Sequence, residues 1–106
     1  MASQIRASHI LLMYKGSMRS TASRTKAEAL DSINALAAEI AGGADFAELA
    51  RKNSDCPSGE EGGDLGKFPR GAMVPEFDEA AFALQPGQVS GVIETSFGYH
   101  LIQRTE

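Results

Sequence analysis

Apolar residues gather at Ile5, Ile10, Leu11, Leu12 and Met13 around Ser8 and His9, and this run predicts a strand over Ile5–Met13. Tyr14–Ser23 holds Gly16 and four serines or threonines with no periodicity, as an exposed loop does. Thr25, with Glu28 three positions on, forms a capping box that opens a helix. Its expected buried stripe is Leu30, Ile33, Ala37 and Ile40, and Gly42–Gly43 closes it. A shorter helix starts at Asp45, turns Phe46, Leu49 and Ala50 inward, and stops near Asn53.

Ser54–Gly66 carries Pro57 and four glycines and reads as loop, with a short strand over Leu65–Phe68. Pro75 suits the first turn of a third helix that carries Phe77, Ala80, Ala81 and Leu84. After a turn at Pro86–Gly87, Val89–Glu94 and Tyr99–Arg104 flank Thr95-Ser96-Phe97-Gly98 as a terminal hairpin. The order β-α-α-(β)-α-β-β fits an α+β layer in which helices cover a small antiparallel sheet.

Composition narrows the field. At 106 residues and 42% apolar, the chain is expected to be one domain, 1–106, with a core of its own. One cysteine excludes an internal disulfide, and two histidines leave little for a structural zinc site. No apolar run approaches the ~20 residues of a membrane span and no leader precedes the fold, so a soluble, cytoplasmic protein is expected. The net charge of −4 is unevenly spread: the first 26 residues hold five basic side chains and no acid, and the remainder is strongly acidic. An acidic bulk argues against nonspecific nucleic-acid binding, although a small basic loop could attract one anionic group.

Three constellations could carry chemistry. His9 and His100 lie in the first and last strands, which are often neighbours in a small sheet. Two neutral imidazoles could then pair as donor and acceptor, or stay apart as separate half-buried side chains. Cys56, between Asp55 and Pro57, could serve a Cys–His nucleophile or join the histidines around a metal. No basic residue adjoins it to favour a thiolate, and the spacing matches no zinc motif. Leu65, Met73 and Phe77, with Phe97 on the hairpin, are core by base rate or an adaptable apolar cup. The acidic loop Asp55–Asp64 fails as a calcium loop, because Pro57 and Gly59 stand where oxygen ligands belong. Its glycines do not open a helix after a strand, so a phosphate cradle fails too.

Taken in order, Ser8-His9-Ile10-Leu11, Arg24-Thr25-Lys26-Ala27-Glu28-Ala29 and Asp45-Phe46-Ala47-Glu48-Leu49-Ala50 resemble the parvulin-type peptidyl-prolyl isomerases. So do Ser54-Asp55-Cys56-Pro57-Ser58, Gly63-Asp64-Leu65-Gly66, Phe77-Asp78 and Gly98-Tyr99-His100, and together the blocks span about residues 5–105. The resemblance implies a four-stranded antiparallel sheet surrounded by helices (parvulin/FKBP-like). It also implies noncovalent rotation of X–Pro bonds in peptides or protein clients, in folding or conformational switching, with no cofactor or metal. By position, His9 and His100 resemble the family's paired active-site histidines, Cys56 the residue facing the susceptible bond, and Thr95 a hydroxyl in the same network. Leu65, Met73, Phe77 and Phe97 resemble the proline cup. Met13 stands where the phosphate-directed subgroup has a basic residue, and Phe97 where it has a serine. These departures argue against phosphoserine or phosphothreonine selectivity, leaving Lys15, Arg19 and Arg24 as candidates for any anion binding. A monomer is expected, acting on neither nucleic acid nor membrane. The competing reading is a non-catalytic proline-peptide binding or chaperone module.

Overall fold

The computed structural model describes residues 3–106. Four strands, β1 (Gln4–Leu12), β2 (Asp64–Pro69), β3 (Ile93–Thr95) and β4 (Gly98–Arg104), form one antiparallel sheet in the order β2-β1-β4-β3. The first and last strands are therefore the central pair, in register from Ala7↔Arg104 to Leu12↔Tyr99. Three α-helices are present among the described residues: α1 (Lys26–Ala41), α2 (Phe46–Asn53) and α3 (Pro75–Ala83).

Side chains alternate across a strand, so β1 and β4 each feed two cores. Ile10, Leu12, Tyr99 and Leu101 face α1 and α2, where they meet Ala29, Ile33, Leu36, Phe46 and Ala50. Ile5, Ala7 and Ile102 face the other way and pack with Phe68 and with Phe77 and Ala81 of α3. The helix starts follow the sequence. Thr25 Oγ1 accepts from the Glu28 N–H at 3.1 Å while Glu28 Oε1 accepts from the Thr25 N–H at 2.8 Å. Asp45 caps α2 through the Glu48 N–H at 3.0 Å.

Four expectations need correction. The buried line of α1 is Ala29, Ile33 and Leu36, an i, i+4, i+7 row, while Leu30 is 37% exposed. Small Ala29 is what lets the helix lie close to the sheet, and Leu30 sits about 100° round from it. The stretch 54–66 is not all loop. Pro57–Glu61 forms a 3-10 turn that Gly62 ends in the left-handed region, and β2 already starts at Asp64. β3 is shorter than the expected Val89–Glu94 strand, because Ser90 Oγ accepts the Ile102 N–H where a backbone carbonyl would stand. Val89 makes only an isolated bridge to Gln103. Leu84 caps α3 from outside the helix. Among the described residues no helix is long and apolar enough to cross a membrane.

Candidate active site

His100 pairs with Leu11 in the central ladder, and His9 lies two residues from Leu11 on the same face. That diagonal relation across antiparallel strands brings the two rings together. Their Nδ1 atoms are 3.1 Å apart and the rings stack with centroids 5.3 Å apart. Thr95, at the hairpin base, has its Oγ1 2.7 Å from His100 Nε2 and accepts the Phe97 N–H at 3.2 Å. Phe77 of α3 stands edge-on to both imidazoles, at 5.6 Å from His9 and 5.5 Å from His100.

Burial pushes the His9 imidazolium down to about 4. Burial, then repulsion from His9, pushes His100 down to about 3. Both rings are therefore neutral at pH 7, and one Nδ1 donates while the other accepts. Two tautomeric chains satisfy this geometry. Either Thr95 donates to His100 and His100 to His9, or His9 donates to His100 and His100 to Thr95. Both leave His9 Nε2 as a buried atom with no partner among the described residues.

Two glycines make this packing sterically feasible. Gly63, at φ 84°, accepts the His9 N–H at 2.9 Å, and a Cβ there would stand 2.2 Å from the His9 carbonyl oxygen. Gly98, at φ 144°, brings the hairpin against Leu12, where a Cβ would lie 2.3 Å from the Leu12 carbonyl oxygen. Any side chain at either position would push the strand carrying a histidine out of place.

The histidines floor a cleft of about 340 Å³. Leu65, Met73, Phe77 and Phe97 all line it, and Cys56 stands on its wall. Cys56 Sγ accepts from Ser58 Oγ at 3.2 Å and has no hydrogen bond to either histidine. Among the described residues no group of three or more His, Cys, Asp or Glu is placed to hold a metal. An apolar cup over a neutral polar floor, with no charged group in the inner network, suits a flat, weakly polar ring and an uncharged reaction.

The whole described chain and its first two residues, 1–106, match the model of the PPIC-type PPIase domain. The chain is 44% identical over 97% of its length to the peptidyl-prolyl cis-trans isomerase ssp-1 of Neurospora crassa, spanning 60% of that protein. It is 38% identical over 96% of its length to Pin1 of Arabidopsis thaliana, of which it spans 95%. The fold superposes on the peptidyl-prolyl isomerase ESS1 of Candida albicans with a TM-score of 0.91 at 40% identity, covering 98% of this chain and 63% of that one. The chain belongs to the PPIC-type peptidyl-prolyl isomerase family.

A second depression of this isomerase domain, about 540 Å³, adjoins the cleft and shares Met13, Arg19 and Pro57 with it. The three basic residues of the β1–α1 loop differ in their relation to it. Arg19, exposed and at φ 58°, lines both cleft and groove and has no ion pair among the described residues. Arg24 lines the groove but is ion-paired with Asp55. Lys15 lines neither, its N–H donating to the Arg24 carbonyl at 2.8 Å. The sequence reading missed Leu11, Met13, Val74 and, next to Cys56, Pro57 on the cleft wall. Strand alternation from His9 carried the signal for the first two; Val74 becomes adjacent only through the turn before α3.

Proposed function

We propose that the 340 Å³ cleft binds the prolyl ring of an X–Pro segment and lowers the barrier to its cis–trans rotation without covalent chemistry. That barrier is ~18–20 kcal/mol, because amide resonance places positive charge on nitrogen and negative charge on oxygen. The twisted amide loses this charge separation and regains a nitrogen lone pair. A dry, apolar cup therefore disfavours the planar form relative to the twisted one, and a donor near the prolyl nitrogen helps only once the bond has turned. A rate gain of ~10⁵ corresponds to about 7 kcal/mol of such preference.

In this reading Leu65, Met73, Phe77 and Phe97 hold the ring. The neutral chain His9–His100–Thr95 fixes the shape and polarity of the floor, and Cys56 is a polar neighbour of the carbonyl. Substrates are proline-containing segments of peptides or protein clients, turned over by a monomer in the cytoplasm. One uncompensated guanidinium, Arg19, at the residue before proline supports turnover that does not require phosphate there. The observation that carries the proposal is the pair of buried neutral imidazoles under an apolar cup.

Exchange spectroscopy on X–Pro peptides with Leu, Glu or phosphoserine before proline tests it. Cis–trans exchange well above background with Leu is expected. Background rates with all three peptides would remove catalysis and leave a binding module. Cys56→Ser should keep substantial turnover, whereas complete loss together with a trapped covalent adduct would overturn the noncovalent role.

A further inference from the structure

Along one edge of β1, pairing with β2 ends at Ser8↔Asp64, and the His9 N–H finds Gly63. From Leu11 to Met13 no strand among the described residues lies beside that edge, and the exposed backbone groups need other partners. Three side chains and one backbone N–H supply them. The Leu11 N–H donates to Ser54 Oγ at 3.0 Å, and the Leu11 carbonyl accepts the Asp55 N–H at 2.7 Å. The Met13 N–H donates to Asp55 Oδ2 at 2.8 Å, and the Met13 carbonyl accepts Arg24 Nη1 at 2.9 Å. The same Nη1 and Oδ2 close an ion pair. Asp55 and Arg24 thus substitute for the missing strand, next to Cys56 and at the groove that Arg19 also lines.

We infer that the Asp55–Arg24 pair determines selectivity at the residue before proline, because Asp55 cancels the charge of Arg24 and leaves Arg19 as the groove's one effective cation. This deepens the function proposed above and rests on it. The Arg24 guanidinium lines the groove, yet its charge is neutralised and its Nη1 is committed to Met13 and Asp55. A doubly charged phosphate therefore meets a net field of one positive charge rather than two. Asp55 is a specificity-determining residue even though it is the acidic partner.

The two halves of the pair act in opposite directions. Asp55→Asn keeps an acceptor for the Met13 N–H but removes the carboxylate charge. The preference for Glu–Pro over Leu–Pro, as the ratio of kcat/KM values, should rise about fivefold, the effect of one exposed unit charge across a wet groove. The rise should be larger for phosphoserine and should shrink in high salt. Arg24→Gln leaves the carboxylate uncompensated, and the same ratio should fall by about fivefold. The double variant should return to within twofold of the parent. An unchanged ratio in folded Asp55→Asn would overturn the inference. So would a double variant as poor as Arg24→Gln, since Arg24 would then touch the anion itself. If the variants do not fold, arginine Nε–H signals of the unmodified protein titrated with a Glu–Pro peptide decide the matter. Arg19 should shift and Arg24 should not; a shift at Arg24 sinks the inference. That binding readout needs no turnover, so a failure of catalysis remains separable from a failure of the charge argument.

Discussion

On the sheet face under α1 and α2, Ile10 and Leu101 of the central strands are completely buried among aliphatic and aromatic neighbours. On the opposite face, one step along the same strands, His9 and His100 are almost as buried, at 6% and 4% exposure, and are polar. Roofing accounts for the difference. α1 has 16 residues, about 24 Å of helix, and α2 adds to its cover. α3 has nine, about 14 Å, and covers the Ile5–Ala7–Ile102 end of its face only. The histidine end is left to loops and to Phe77, and the cleft opens there. A small sheet can thus use one face for stability and half of the other for chemistry.

Acid should break this comparison most strongly. Both histidines ionise in the fold well below the 6.5 of an unfolded chain. Between about pH 6.5 and 4 the unfolded chain then binds more protons than the folded one, and stability falls as pH is lowered through that window. The loss is several kcal/mol, at roughly 1.4 kcal/mol for each pH unit by which a group is displaced. Urea unfolding across that range should show it, with a flatter slope in His100→Phe; an identical slope would remove the buried imidazoles as its source. Isomerisation should be flat from pH 6 to 8 and fail near 4, where two charged rings can no longer pair.

Next comes Leu101→Ala on the fully roofed face. A cavity at this site should cost about 2–5 kcal/mol, with kcat/KM of the folded fraction unchanged. A changed kcat/KM would show that the two faces are coupled. Thr95→Val, on the chemical face, leaves His100 Nε2 without its partner. A loss of about 1–3 kcal/mol is expected, together with slower exchange of X–Pro peptides, and an unaltered unfolding midpoint would count against the hydrogen-bonded chain. The smallest stability effect belongs to Met73→Ala, because this half-buried side chain borders open cleft. Stability should drop by less than about 1 kcal/mol while KM rises several-fold. An unchanged KM would take Met73 out of the cup.

Much of the fold was legible because its signals are local. The Thr25–Glu28 box and Asp45 before Phe46 mark helix starts with side chains that accept free N–H groups, and Pro75 marks the third by lacking an N–H that would go unpaired in the first turn. Leu30 misled because a leucine outweighs an alanine in any hydropathy count. The sheet selects for close approach, and Ala29 permits it. β3 misled because a hydroxyl at Ser90 can replace a ladder carbonyl, which no alternation pattern registers. The site was legible only in part. The residues of the cup were named, but whether two histidines 91 positions apart would meet was open until β1 and β4 were seen to pair in register. Arg24 looked like a free cation in sequence, and its partner Asp55 lies 31 positions away.

The amino-acid order by itself determined where helices begin and which strand positions alternate. These follow from contacts within a few residues, where backbone sterics and capping bonds decide. Tertiary structure alone decided that both imidazoles are neutral, that α3 reaches the cleft through Phe77 alone, and that one arginine is cancelled while another is not. Each of those depends on water removed, or on charge placed nearby, by segments distant in the chain, and such terms come into being only when the sheet closes.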